Sequence, residues 1–230
     1  MTAGNRLFIV LLLGVLPLSA GAQELSYAWF DIAYVAQDIG KSGLQGDAVQ
    51  NVALDAEDGD GIRFRGSVGL FNNFYLFGDF TSSNIDDSAI VTNPQGSFPA
   101  TDEFDVTRLR GGVGYSYPLN VTNHVVAELS YDSIDFDFGS FSGEDFDADD
   151  KGVGARIGWR SQLAPKFEVG AHARYTSVGD VDLTSREFDS DALLGASAAW
   201  TPIRAFSVIA DYEAGAIDTW AIGFRLDLAE

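Results

Sequence analysis

The stretch Ile62-Arg63-Phe64-Arg65-Gly66-Ser67-Val68-Gly69-Leu70 decides the reading of this chain. Its apolar residues recur at every second position. An extended backbone therefore sets Ile62, Phe64, Val68 and Leu70 on one face and Arg63 and Arg65 on the other. Such a strand lies between two unlike surroundings. One face is greasy and uncharged, and the other carries full charges that water or opposite charges must compensate.

Outward from this stretch the same period recurs, predicting ten strands near residues 26–36, 61–70, 74–82, 105–117, 124–132, 151–161, 167–176, 191–201, 206–213 and 219–228. The connections alternate. Phe71-Asn72-Asn73, Pro118–Asn123, Gln162–Lys166 and Pro202–Ala205 are short, with Pro or Asn where turns favour them. Residues 37–60, 83–104, 133–150 and 177–190 are long, polar and rich in Asp, Gly and Ser, and only 214–218 is short where a long connection is due. Short turns at one end and long loops at the other, on an even number of strands, are the plan of an outer-membrane barrel with periplasmic turns and extracellular loops. The predicted fold is all-β: a ten-stranded antiparallel up-and-down transmembrane β-barrel.

Face assignment follows from the parity. The proposed lipid face carries Ile62, Phe64, Val68, Leu70, Phe74, Leu76, Phe80, Leu109, Val113, Tyr115, Tyr117, Val125, Ala127, Leu129, Tyr131, Val153, Ala155, Ile157 and Trp159 in the first six strands. It continues through Phe167 to Tyr175, Leu194 to Trp200, Phe206 to Tyr212 and Trp220 to Leu228, with no charge among these alternate positions. Its aromatics fall into two belts. Phe74, Tyr117, Trp159, Phe167, Trp200 and Phe206 lie near the short turns, and Phe80, Tyr131, Tyr175, Tyr212 and Trp220 near the long loops. Aromatic rings favour the two membrane–water boundaries, whereas a soluble barrel has no reason to sort them so.

The opposite face holds Arg63, Arg65, Arg108, Arg110, Arg156, Arg160, Arg174 and Arg225, together with Asp31, Asp79, Glu128, Asp132, Glu168, Asp211, Glu213 and Asp227. Eight of each sign permit the pairing that buried ions require. The first strand is ambiguous. With Asp31 inside, Phe30, Ile32 and Tyr34 face out but Tyr27 and Trp29 face in, so either those two rings plug the periplasmic mouth or a bulge resets the parity.

Residues 1–22 read as a secretory signal peptide: Arg6, an apolar run from Leu7 to Leu18, then Ala20-Gly21-Ala22 as the cleavage site. The run is too short, and too broken by Gly14 and Pro17, for a spanning helix. The barrel domain then occupies 23–230. There is no cysteine, which excludes disulfides, thiol chemistry and a lipid-anchored N-terminus. The chain has 34 acidic and 14 basic residues, and losing Arg6 with the leader leaves a balance of −21 (13 − 34). So acidic a protein does not bind nucleic acid through phosphates. The excess lies outside the barrel, where 24 acids in the long loops and their edges face only Lys41, Lys151 and Arg186.

Candidate chemistry is sparse, and no catalytic, cofactor-binding or metal-binding residue is assigned. His172 faces inward near Glu168 and Arg174 and reads as one member of a lumen hydrogen-bond network. His124 opens a strand beside a short turn. A membrane hydrolase would need a serine beside a histidine and an acid, and no Gly-x-Ser-x-Gly elbow is present. Asp55-Ala56-Glu57-Asp58-Gly59-Asp60-Gly61 and Asp145-Phe146-Asp147-Ala148-Asp149-Asp150 suggest calcium, but neither reaches EF-hand spacing. They read as solvated surface, or as carboxylates that divalent cations bridge to lipopolysaccharide phosphates. The arginine rows have two readings: a narrow anion-selective path, or cross-strand partners that fill the interior.

Leu25-Ser26-Tyr27, the Gly61–Leu70 strand followed by Asn72-Asn73-Phe74, Arg108-Leu109-Arg110-Gly111-Gly112-Val113-Gly114-Tyr115 and Asp218-Thr219-Trp220 resemble the small proteobacterial outer-membrane barrels once described as a quorum-sensing-factor or sulfated-elicitor family. The resemblance covers most of the chain after residue 22 and rests mainly on barrel periodicity. It implies a ten-stranded barrel with no catalytic residues to carry over. One departure is the last strand, which ends in Leu228 followed by Ala229-Glu230 in place of a terminal aromatic. The expected protein is a monomer in the outer membrane of a Gram-negative cell, delivered by periplasmic chaperones and the barrel assembly machinery. Its expected role is non-enzymatic, at the surface, with lipid and lipopolysaccharide as partners; the alternative is a narrow channel for small polar or anionic solutes.

Overall fold

Ten strands follow one another along the chain: β1 (Trp29–Ile39), β2 (Val52–Gly69), β3 (Phe74–Asn93), β4 (Gly96–Asn120), β5 (Asn123–Phe141), β6 (Glu144–Ala164), β7 (Phe167–Thr176), β8 (Ala192–Ile203), β9 (Phe206–Ala214) and β10 (Ile217–Asp227). The computed structural model describes residues 25–39, 52–93, 96–141, 144–178, 192–215 and 217–228. The expected signal peptide lies outside them. Each strand pairs antiparallel with the next, and β1 pairs with β10, closing the sheet into a barrel. Closure is what lets a sheet enter hydrocarbon, since an open edge would leave peptide groups unpaired where no water can reach them.

The four short turns stand where expected. At the first, Asn72 and Asn73 both take left-handed backbone angles (φ 54° and 66°), which a tight hairpin needs and asparagine tolerates. The pairing also fixes the size of the cylinder. Followed from Val35 through β2, β3, β4 and β5, the register meets β6 at Ala148; followed through β10, β9, β8 and β7, it meets β6 at Arg160. That is a stagger of 12 residues (160 − 148). Ten strands with this stagger tilt by about 40° and enclose a backbone cylinder roughly 20 Å across. Arginine side chains from opposite walls meet in the middle of such a bore.

The alternation resolves as predicted. Outward residues are apolar and mostly exposed, Leu129 and Ile222 among the most open, while Asp31, Arg63, Glu128 and Asp132 are buried inside. The two aromatic belts are six to eight residues apart along their strands, as from Phe74 to Phe80 or Phe167 to Tyr175. At the derived tilt this spans about 16–21 Å of height, close to the apolar band of roughly 25 Å on an outer-membrane barrel. Rings also meet within each belt. Phe74 lies 4.9 Å from Tyr115, and Tyr212 lies 4.3 Å from Trp220.

One open alternative resolves and one expectation changes. The first strand needs no bulge: β1 keeps unbroken register with both neighbours from Trp29 onward. Phe30, Ile32 and Tyr34 face out, and Tyr27 and Trp29 turn in as plugs. Segments 83–104 and 133–150, expected as loops, are mostly strand. β3 and β4 stay paired up to Asn93 and Gly96, β5 and β6 up to Phe141 and Glu144, and β2 already starts at Val52. The remainder of the expected long loops, 40–51 and 179–191, lies outside the described residues.

Candidate functional site

Among the described residues, charge and hydrogen-bonding capacity converge in the lumen, which is layered. At the short-turn end Tyr27 stacks on Tyr75 (4.9 Å between centroids) and lies under the Arg160 guanidinium (4.8 Å). Trp29 sits against Arg225 at 4.5 Å and Arg65 at 5.7 Å. Rings and guanidiniums packed face to face close this mouth by cation–π contact as well as by volume. Tyr75 lies in space left by Gly114, where a Cβ would stand 2.1 Å from its ring.

Above the rings the register lines up a row of alternating sign across six adjacent strands: Arg225, Asp31, Arg65, Asp79, Arg110 and Asp132. Arg65 holds Asp31 at 2.8 Å, and Arg110 holds Asp79 at 3.2 Å. Other pairs reach past intervening strands. Arg63 and Arg65 on β2 reach Asp211 on β9 at 2.7 and 3.0 Å, and Tyr75 on β3 donates to Glu128 on β5 at 2.8 Å. Arg160 grips Glu168 with two nitrogens, Nε at 2.8 Å and Nη2 at 3.0 Å. Arg174 bridges Glu213 at 2.6 Å and Asp132 at 3.5 Å. All eight arginines and eight acids assigned inward by parity lie on the lumen face. Pairs that share register tie neighbouring strands, and pairs such as Arg63–Asp211 tie strands that are not adjacent.

His172 belongs to this network. Its Nδ1 accepts from Arg156 Nη2 at 3.1 Å, which leaves Nε2 to donate to Glu213 at 3.0 Å. The ring lies over Gly195, where a Cβ would come within 2.1 Å of Cε1. A serine–histidine pair that sequence reasoning did not find exists at the other histidine: Ser116 Oγ is 2.9 Å from His124 Nδ1. Ser116 is only 2% exposed, and its hydroxyl donates to Tyr27 at 2.7 Å. The proton is committed and the oxygen is shielded, so the trio acts as structure beneath the Tyr27 plug. Among the described residues no three carboxylates or histidines converge as metal ligands.

A layer that sequence reasoning also missed covers the ions at the hairpin end. Val35, Ile85, Val106, Ile134, Phe136, Leu193 and Ile217 are all buried there on inward parity. The signal was available, because Ile85 continues the inward series Asp79, Thr81, Ser83, and Ile134 and Phe136 continue Glu128 and Asp132. Between the caps the free space divides into a cavity of about 60 Å³ on the short-turn side and one of about 90 Å³ on the hairpin side. Arg65, Asp79, Arg110, Arg156 and Asp211 line both and form the partition.

A family model of the outer membrane protein β-barrel domain matches residues 8–199. The chain belongs to that family. The barrel accordingly resides in the outer membrane. No curated protein matches it in sequence. Among solved structures it is similar to the translocator domain of the autotransporter NalP from Neisseria meningitidis, with 15% identity, 89% of this chain and 90% of that one covered, and a TM-score of 0.51. It is also similar to the outer membrane protein OprG from Pseudomonas aeruginosa (11% identity, 91% and 100% covered, TM-score 0.45). A further similar structure is Ail, the attachment invasion locus protein of Yersinia pestis (14% identity, 87% and 100% covered, TM-score 0.41). At such identities the likeness is one of fold.

Proposed function

We propose that this outer-membrane barrel is a non-enzymatic surface protein with a closed lumen, and that it works through its hairpin end, which projects outside the cell. The observation that carries this reading is the filled bore. Among the described residues, ion pairs through the lumen such as Arg63–Asp211, at 2.7 Å, and the two capping layers break the space around the ions into small cavities. A side chain released from such a pair would stay buried and uncompensated, so thermal opening is costly. The long β3–β4 and β5–β6 hairpins then present the acidic surplus. Lys151, one of three cations in that region of the sequence, is already paired with Asp149, whose carboxylate lifts the lysine ammonium above its ordinary value.

A surface this acidic repels lipopolysaccharide phosphates unless divalent cations bridge the two, so calcium or magnesium and lipopolysaccharide are the proposed cofactor and partner. The barrel is taken to be a monomer inserted by the barrel assembly machinery. Purified, refolded protein in planar bilayers should give no steady unitary current; regular single-channel steps would overturn the closed lumen. The second reading, a narrow path for small anions, draws on the arginine-rich lining of the 90 Å³ cavity, and it requires those steps to show anion selectivity. The lipopolysaccharide role is tested by co-sedimentation with lipopolysaccharide vesicles. Binding that needs calcium and is lost with EDTA supports it, and binding indifferent to both removes it.

A further inference from the structure

The ion pairs of the lumen balance everywhere but at one arginine. Arg63, Arg65, Arg110, Arg156, Arg160, Arg174 and Arg225 each have a carboxylate within 4.0 Å. Among the described residues Arg108 has none. Its register neighbours are Thr81 on β3 and Ile134 on β5, and the next inward positions toward the hairpins are the apolar Val106 and Phe136. The charged groups that act on it are Arg174, Glu213 and Asp79, the first of them another cation. A guanidinium under an apolar cap with no carboxylate in contact is an expensive arrangement unless something supplies a closer counter-charge.

The cavity of about 90 Å³ beside Arg108 shows what is missing. Five buried donors on its lining have no hydrogen-bond partner: Nε of Arg63, Arg108, Arg110 and Arg156, and Nε2 of Gln37. Gln37 is 3% exposed and Arg63 8%, so neither reaches bulk solvent. None of the fully buried, unpartnered atoms on the lining is an acceptor, and Thr81 and Thr219 add hydroxyls that donate or accept. Water would satisfy the donors but not the charge. An anion satisfies both. The space admits several waters, and so also a halide or a small oxyanion such as nitrate or phosphate.

We propose that this cavity is a binding site for one small inorganic anion, held by Arg108 as the counter-ion of the lumen. The site is a resting place between two closed layers, and it does not depend on what the hairpins bind. The anion supplies the contact counter-charge that Arg108 lacks, so occupancy stabilises the folded barrel by mass action.

Bromide is the probe. Thermal unfolding of the detergent-folded barrel is followed in sodium bromide and in sodium gluconate at equal ionic strength, gluconate being a far bulkier anion than bromide. Bromide should raise the midpoint saturably by several degrees, and Arg108→Gln should lose that rise while matching the wild type in gluconate. An equal rise in Arg108→Gln, or no difference between the salts in wild type, overturns the site. If Arg108→Gln does not fold, bromide-soaked crystals of the wild type decide the matter. An anomalous peak within hydrogen-bond distance of the Arg108 guanidinium supports the site, and its absence sinks it. Bilayer currents tell separately on whether the lumen is closed, so the two readings fail independently.

Discussion

Asp211 shows how a single residue carries strain for the whole interior. Its carboxylate receives Arg63 at 2.7 Å and Arg65 at 3.0 Å from a strand that is not adjacent, and Arg63 has no other ion pair among the described residues. Asp211→Asn therefore leaves one guanidinium buried and uncompensated, for which about 3–5 kcal/mol is the usual cost. Urea unfolding of the detergent-folded barrel should show a loss of that size, and Asp211→Asn combined with Arg63→Met should recover part of it, because the stranded charge is gone. Gly195 makes a steric counterpart. Gly195→Ala puts a methyl 2.1 Å from the His172 ring, forcing the ring off Glu213. The expected cost is about 1–3 kcal/mol, and it should shrink on a His172→Ala background. Full cost on both backgrounds would mean that the collision is not what hurts.

At the scale of the strand, lipid rather than hydrogen bonding writes the pattern that a sequence displays. Ile62 to Leu70 and Phe167 to Tyr175 alternate because one face meets hydrocarbon and the other meets ions, and both segments are strands in the structure. Past Ser83 the β3–β4 ladder continues, but the contrast between its faces is gone. Asp86-Asp87-Ser88 then looks like a loop although its backbone is fully paired. The inward cap of Ile85, Val106 and Phe136 was obscured for the same reason: parity persisted, but no outward apolar partners marked it. The contacts between non-adjacent strands were illegible for a different cause. Parity assigns Arg63 and Asp211 to one interior, while their meeting depends on the stagger of the whole barrel. Two expectations follow for these elements. Excising 87–102 and joining Asp86 to Glu103, which are register partners, through Asn-Gly should leave a folded, heat-modifiable barrel. On the lipid side Ala127 and Ala155 floor a shallow groove of about 720 Å³. Ala127→Leu should be tolerated there, whereas Ala127→Arg should lower folding stability in lipid by about 2–4 kcal/mol.

For the whole molecule, the layered interior makes a statement about access that trypsin can read. Eight arginines point into the bore, all but Arg108 held in the ion pairs that fill it, while Lys151 lies by the β5–β6 hairpin, Lys166 and Arg204 lie in short turns, and Lys41 and Arg186 fall in segments the sequence reads as long loops. Proteolysis requires roughly ten residues of chain to leave the ladder and enter a protease cleft, and in a closed barrel no strand can leave without breaking pairs on both sides. In detergent the native protein should be cut only at residues of the second set, those outside or at the rims. After boiling, fragments ending at Arg63, Arg65, Arg108, Arg110, Arg156, Arg160, Arg174 and Arg225 should appear as well, identified by mass spectrometry. The contrast tests the cylinder independently of any current measurement, because a wide aqueous pore with a frayed wall could still conduct poorly. Early native cleavage at Arg110 or Arg156, on the partition itself, would show that the ion layer opens on its own and that the two cavities are one path.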